Sequence, residues 1–96
     1  MAWSPEMELI DQLLGGDLPL PAVARLFPEE ARARLALMQY VSDDVVALRE
    51  QGAVLPTWRS QELLRQPEPF DKDSDIHVSL TDKGAKAFQE RNWDRL

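Results

Sequence analysis

The sequence predicts an α+β domain that is mainly helical, from two places where one kind of secondary structure gives way to another. Residues 48–55 (LREQGAVL) are typical of a helix that is stopped by Gly52 and followed at once by a strand. Residues 76–80 alternate apolar and polar side chains, as a half-buried strand does, and Thr81 then opens a closing helix. The 96 residues, 44% of them hydrophobic, are enough for one core, so residues 1–96 are predicted to form a single domain.

The first helix is predicted over residues 5–14. Ser4 supplies an N-cap, and Pro5 occupies the first position, where a missing N–H costs nothing. Apolar residues recur at helical spacing along this segment and make one face. The pair Gly15-Gly16 ends the helix.

Two further helices are predicted from proline positions. Pro21 opens a short helix over residues 21–27, and Pro28 precedes a longer one over residues 29–40. In the longer helix the inward stripe is predicted to contain Ala31, Leu35 and Met38. The pattern places these three side chains in the core.

The segment Ser42-Asp43-Asp44 leaves two interpretations open. The apolar pattern continues through it, which allows one helix over residues 29–51. Serine followed by two acids is also typical of a helix N-cap, which favours a separate helix over residues 43–51. Two helices meeting near Val41 are the preferred prediction.

A β-hairpin is predicted between the penultimate helix and the last. Its strands are residues 53–58 and 76–80, with a helical turn near 60–66 and a polar loop over 71–75 between them. The closing helix is predicted to end near Asn92. Gly84 in its first turn is a poor helix former, which indicates close packing against a neighbouring segment.

This arrangement resembles the winged-helix family, in which a helix is followed by a β-hairpin and a last helix. Six residues at the two corners carry the resemblance: Leu48, Gly52, Val54, Leu80, Thr81 and Gly84. The resemblance implies a regulator, in many cases bacterial or from a phage, whose helix before Gly52 lies in the DNA major groove. It also implies a homodimer through the first and last helices, where Trp3 and Trp93 would contribute.

The net charge of the chain is unfavourable for DNA binding by a winged-helix fold. The net charge is −6, and residues 1–52 carry nine acids against four bases. Binding to phosphates needs cations, so the sequence predicts a non-enzymatic regulatory or protein-interaction module on an acidic winged-helix frame. The predicted contact surface with the protein partner consists of Asp43, Asp44, Trp58, Asp71 and Asp73.

The alternative is a dimeric DNA-binding transcriptional regulator. Its contacts would be Arg49, Arg59 and Lys72, together with the basic edge of the last helix. Whether the chain binds nucleic acid stays open on the sequence alone, as do the identity of its partner and its oligomeric state.

A calcium loop is a third interpretation, because Asp71, Asp73 and Asp75 have the carboxylate spacing that opens an EF-hand and Asp82 falls at the twelfth position. Ile76 replaces the glycine that the sharp turn requires, so a solvated acidic loop without metal or cofactor is preferred.

No enzymatic activity is predicted. His77 is the only histidine, and Ser79 shares its outward strand face, but the sequence offers neither a third orienting group nor an oxyanion hole. There is no apolar run of the ~20 residues that a membrane span requires, and the N-terminus does not resemble a signal peptide, so a cytoplasmic location is expected.

Overall fold

The computed structural model describes residues 4–71 and 74–89, and this part of the chain folds into helices packed on an antiparallel sheet. The helices are α1 (Pro5–Leu14), α2 (Leu20–Leu26), α3 (Glu30–Ser42), α4 (Thr57–Leu64) and α5 (Asp82–Gln89), with a 3-10 turn at Glu68–Phe70. The strands are β1 (Leu18–Pro19), β2 (Val46–Glu50), β3 (Ala53–Val54) and β4 (Ile76–Leu80). The predicted α+β class with mainly helical content is therefore confirmed.

The sheet has the strand order β1-β4-β2-β3, and β2 and β4 are its longest strands. They pair antiparallel, from Val46 opposite Leu80 to Glu50 opposite Ile76. Leu48 and Val78 lie opposite each other and belong to the buried core, which α1, α2 and α3 complete. Hydrophobic burial between the helices and this face holds the domain together.

The predictions for the first helix and for the strand over 76–80 are confirmed, and the second predicted helix lies one residue earlier than expected, at Leu20–Leu26. Ser4 caps α1, since its side chain accepts a hydrogen bond from Met7 N at 3.2 Å. The third predicted helix begins one residue later than expected and continues to Ser42. Among residues 4–71 and 74–89, none of the helices has the length and hydropathy of a membrane-spanning segment.

The predicted helix over residues 43–51 is wrong, as is the single helix over 29–51. The chain leaves α3 through a Schellman motif: Asp44 N donates to Val41 O at 3.1 Å, and Val45 N donates to Tyr40 O at 2.8 Å. Asp44 adopts the left-handed conformation that this motif needs, with φ of 61°. The β-branched valines that follow then enter strand β2.

The predicted pairing of residues 53–58 with 76–80 is also wrong. Gln51 and Gly52, with φ of 53° and 83°, form a two-residue turn of the type I′ kind that joins β2 to β3. Strand β3 is short, because Pro56 precedes α4. The hairpin therefore comes before the penultimate helix, and β4 pairs with β2 and β1 instead.

The corner between β4 and α5 agrees with the prediction. The hydroxyl of Thr81 accepts a hydrogen bond from Gly84 N at 3.0 Å and donates to the carbonyl of Val45 at 2.9 Å. A β-carbon on Gly84 would clash with that same Val45 carbonyl and lie 2.9 Å from Leu80 Cδ1. Close packing thus explains this glycine. The predicted end at Asn92 lies outside the described residues.

Candidate functional site

The predicted acidic contact surface is not one surface. Asp43 and Asp44 lie where β2 begins, whereas Asp71 comes shortly before β4, at the opposite end of the sheet. Strand β2 separates the two ends by roughly 13 Å, at about 3.3 Å per residue. Trp58 lies on α4 and is 68% exposed. Asp73 lies outside the described residues.

The alternative DNA contacts come from different elements of the fold. Arg49 lies on β2, is half-buried and donates a hydrogen bond from Nε to Ser79 Oγ at 3.1 Å. Arg59 lies on α4, where it forms an ion pair with Glu62 at 2.9 Å. Lys72 is outside the described residues.

The calcium ligands proposed from the sequence do not converge. Asp71 and Asp75 precede β4, whereas Asp82 follows it as the first residue of α5. The described part of the chain contains no cluster of at least three acidic, histidine or cysteine side chains suited to a metal ion. Trp3 and Trp93, on which the homodimer prediction partly depends, lie outside the described residues.

The structure reveals a different candidate site, a groove between α1 and α3. It has a volume of about 440 Å³ and is lined from α3 by Ala31, Leu35, Ala36 and Tyr40. Leu35 is 68% exposed, although the sequence pattern predicted it in the core. Leucine in this position gives the groove a large apolar side chain that the fold of the monomer does not use.

A different stripe of α3 is buried, which is why sequence reasoning missed the groove. The core side of α3 consists of Ala33, Leu37, Tyr40 and Val41. These residues also have helical spacing and lead directly to buried Val45, so this second stripe was the signal that could have identified Leu35 as exposed.

Both arginines of α3 are engaged within the molecule. Arg32 makes a bidentate pair with Glu6 of α1, in which Nε and Nη2 each donate to a carboxylate oxygen at 3.0 Å. Arg34 pairs with Glu30 at 3.1 Å and donates to the carbonyl of Gln66 at 3.2 Å. Since each guanidinium already has an anionic partner, α3 presents little free positive charge.

The groove also shifts the pKa values of two side chains, Tyr40 and Glu6. Burial raises the pKa of Tyr40 to about 12, and the negative charge of Glu6 adds to this shift. Burial by itself would raise the pKa of Glu6, but the hydrogen bond and charge of Arg32 outweigh it and hold that pKa below its ordinary value. At neutral pH the groove therefore contains a neutral phenol and an ion pair beside its apolar residues.

Comparisons with known proteins supply no further assignment. No family model, curated protein or solved structure matches this chain. The groove combines apolar contact area with an arginine that is neutralised by Glu6, a chemistry suited to binding.

Proposed function

We propose that this chain is a small, non-enzymatic interaction module that binds a protein partner through the groove between α1 and α3. The observation that carries the proposal is the contrast on α3 between Leu35, which is 68% exposed, and Arg32, which is neutralised by Glu6. An apolar anchor without free cations suits a protein surface better than a polyanion. A cytoplasmic location and a regulatory role belong to the same proposal.

A winged-helix-like frame is part of this proposal, with α3 in the role that was predicted for residues 43–51. What supports it is the order of elements: α2 and α3 are joined by a short turn, and the antiparallel pair β2 and β4 is followed by α5. The helix before that strand pair is α3. In this frame the segment between β2 and β4 carries β3 and α4 as a long wing.

The partner that fits the groove best is an amphipathic helix with a leucine-like stripe and basic flanks. Glu29 lies at the groove, and residues 1–52 carry nine acids against four bases, a balance of −5. Lysine or arginine flanks would complement this charge, and the apolar stripe would cover Leu35. The homodimer through the first and last helices is less favoured, because it would bring two copies of charge −6 together.

The direct test uses two designed amphipathic peptides with the same leucine stripe, one flanked by lysine and the other by glutamate. Fluorescence anisotropy should show saturable binding of the lysine-flanked peptide and much weaker binding of the other. Leu35→Glu should abolish the binding without lowering the melting temperature. Leu14→Glu is the matched control, because Leu14 is also an exposed leucine but does not line the groove. Equal loss in both variants, or unchanged binding in Leu35→Glu, would refute the groove as the binding site.

A gel-shift experiment at low salt with mixed duplex DNA separates this proposal from the alternative. No shift is expected, because the arginines of α3 are already paired with Glu6 and Glu30. Micromolar binding with a steep dependence on salt would instead favour the dimeric DNA-binding regulator. Light scattering on the same sample measures whether the chain forms dimers.

A further inference from the structure

On the side away from the core, the outer face of the sheet carries the polar side chains of Arg49, His77 and Ser79. Arg49 of β2 lies opposite His77 of β4 on one side and opposite Val54 of β3 on the other. Ala47 lies opposite Ser79. Because alternate residues of a strand share a face, all five side chains project from the same side of the sheet.

Arg49 is fixed in position on this face but forms no ion pair with the residues that the structure describes. Its Nε donates to Ser79 Oγ at 3.1 Å, and Ser79 is only 7% exposed. Within residues 4–71 and 74–89, the ion-paired arginines are Arg32, Arg34 and Arg59, and Arg49 is not among them. A half-buried guanidinium held by a neutral hydroxyl keeps its charge and its two terminal nitrogens available for an anion.

The residues that pair directly with Arg49 and His77 on the flanking strands do not supply that anion. The residues across from Arg49 and His77 on this face are Val54 and Pro19, in a chain that contains 17 acidic residues. The acids nearest to Arg49 and His77 in the sequence are Glu50 and Asp75. Both line a separate hollow at the end of the sheet, with Pro69 and Ile76.

We propose that Arg49 and His77 form a binding site for an oxyanion, a carboxylate or a phosphoryl group, with Ser79 as the residue that positions the guanidinium. The terminal nitrogens of Arg49 match the spacing of two anion oxygens. His77 lies directly across the strand pair, with Cβ atoms about 5 Å apart, and contributes a ring N–H. This site lies on the sheet rather than in the α1–α3 groove and does not depend on the proposed function.

The site is suited to a single small anion or to one anionic group on a larger ligand. Arg59, the cation on the neighbouring helix α4, is occupied by Glu62 at 2.9 Å. A polynucleotide needs a row of available cations, whereas one carboxylate or phosphoryl group needs only the fork of Arg49 and one more donor.

The test follows the imidazole of His77 by NMR, which is unambiguous because the chain has one histidine. Inorganic phosphate and acetate are titrated separately at constant pH and ionic strength. A saturable shift is expected. Saturation by phosphate alone assigns a phosphoryl group, and saturation by both assigns any group with two anion oxygens.

Variants separate the site from a general charge effect. Arg49→Gln should weaken binding roughly tenfold or more, because a charge-assisted bidentate contact is lost. Arg49→Lys keeps the charge but loses the fork and should be intermediate. Ser79→Ala should weaken binding several-fold although Ser79 does not contact the anion.

Arg25→Gln is the matched control, since it removes an equal charge from an exposed position on α2 and should leave binding unchanged. Linear, non-saturating shifts in the wild-type chain would overturn the proposal, as would equal weakening in Arg25→Gln and Arg49→Gln. If Arg49→Gln does not fold, Arg49→Lys and Ser79→Ala still decide, because wild-type affinity in both would contradict the assignment.

Discussion

The helical face between α1 and α3 and the outer face of the sheet use arginine in opposite ways. On the helical face Arg32 is neutralised by Glu6, so that exposed Leu35 becomes its most distinctive feature. On the sheet face Arg49 is held by the hydroxyl of Ser79, so that its charge is preserved. An internal ion pair removes a cation from use in recognition, whereas a neutral anchor orients the cation and leaves it available. The difference predicts an apolar partner for one face and an anion for the other.

The largest expected effect comes from Gly84→Ala, which disturbs the sheet face and leaves the helical face in place. The added β-carbon would clash with the backbone carbonyl of Val45, which cannot move without displacing the start of β2. We expect a loss of about 2–3 kcal/mol in the free energy of unfolding, measured by urea denaturation. Gly15→Ala is the control, because its β-carbon would make only an ordinary contact of 3.4 Å. Equal stability of both variants would contradict the packing at Gly84.

The second effect is a fall in stability at high pH that arises on the helical face. The pKa of Tyr40 is about 12 in the folded chain and ~10 in the unfolded chain, so the unfolded state loses its proton first. The stabilisation is fully present below pH ~10 and is lost as the pH rises towards 12, by at most about 3 kcal/mol. Absorbance titration reports on Tyr40 alone, since it is the only tyrosine. Tyr40→Phe should show a smaller loss over this pH range. An equal loss would assign it to other groups.

The third effect comes from Glu6→Gln, which removes the counter-ion of Arg32 and so makes this arginine resemble Arg49 on the sheet face. The substitution should lower the free energy of unfolding by about 1 kcal/mol, since the pair is partly exposed but bidentate. The difference from wild type should diminish on acidification, because the lowered pKa of Glu6 means that its stabilisation is lost as the pH falls through that pKa.

The same substitution should lower the pKa of Tyr40 but leave it above 10, because burial is its main cause. Asp11→Asn removes an equal charge from an exposed position on α1 and serves as the control in both measurements. If Asp11→Asn shifted the pKa of Tyr40 as much as Glu6→Gln did, long-range charge rather than the groove would explain the result.

The smallest effect should come from Gln51→Asn, which strengthens the turn beside Arg49 without altering the helical face. Gln51 has a positive φ of 53°, a conformation that asparagine adopts more readily than glutamine. We expect a gain of about 0.5 kcal/mol in thermal or urea unfolding. Gln51→Val should have the opposite sign, because a β-branched residue is strained there. A destabilising asparagine would show that the turn is not of the type I′ kind.

The error over residues 43–51 has a local cause. Short polar residues such as Asp43 and Asp44 favour both a helix N-cap and the left-handed position after a helix, so the same two residues can predict either the start or the end of a helix. The apolar residues that follow fit either structure, since Val45 and Leu48 have helical spacing while Val46 and Leu48 alternate as in a strand. Pairing with β4, thirty residues later in the chain, resolves both ambiguities.

The candidate groove was hidden for a related reason. Leu35 and Leu37 belong to two stripes of α3 with equally good helical spacing, and only the packing of the helix against the rest of the core decides which stripe is buried. Trp58 was predicted to be exposed, but on a strand. The structure places it on α4, which lacks the side-chain N-cap that would have indicated a helix in the sequence.

The sequence by itself determined the elements whose signals lie within a few neighbouring residues: α1 with its cap at Ser4, the alternation of β4, and the corner of Thr81 and Gly84. Only the tertiary structure decided the strand state of residues 46–50, the exposure of Leu35 and the ion pair of Arg32 with Glu6, whose partners are 26 residues apart. Caps and alternation act through the local backbone, whereas sheet pairing, burial and distant ion pairs depend on which remote segments meet.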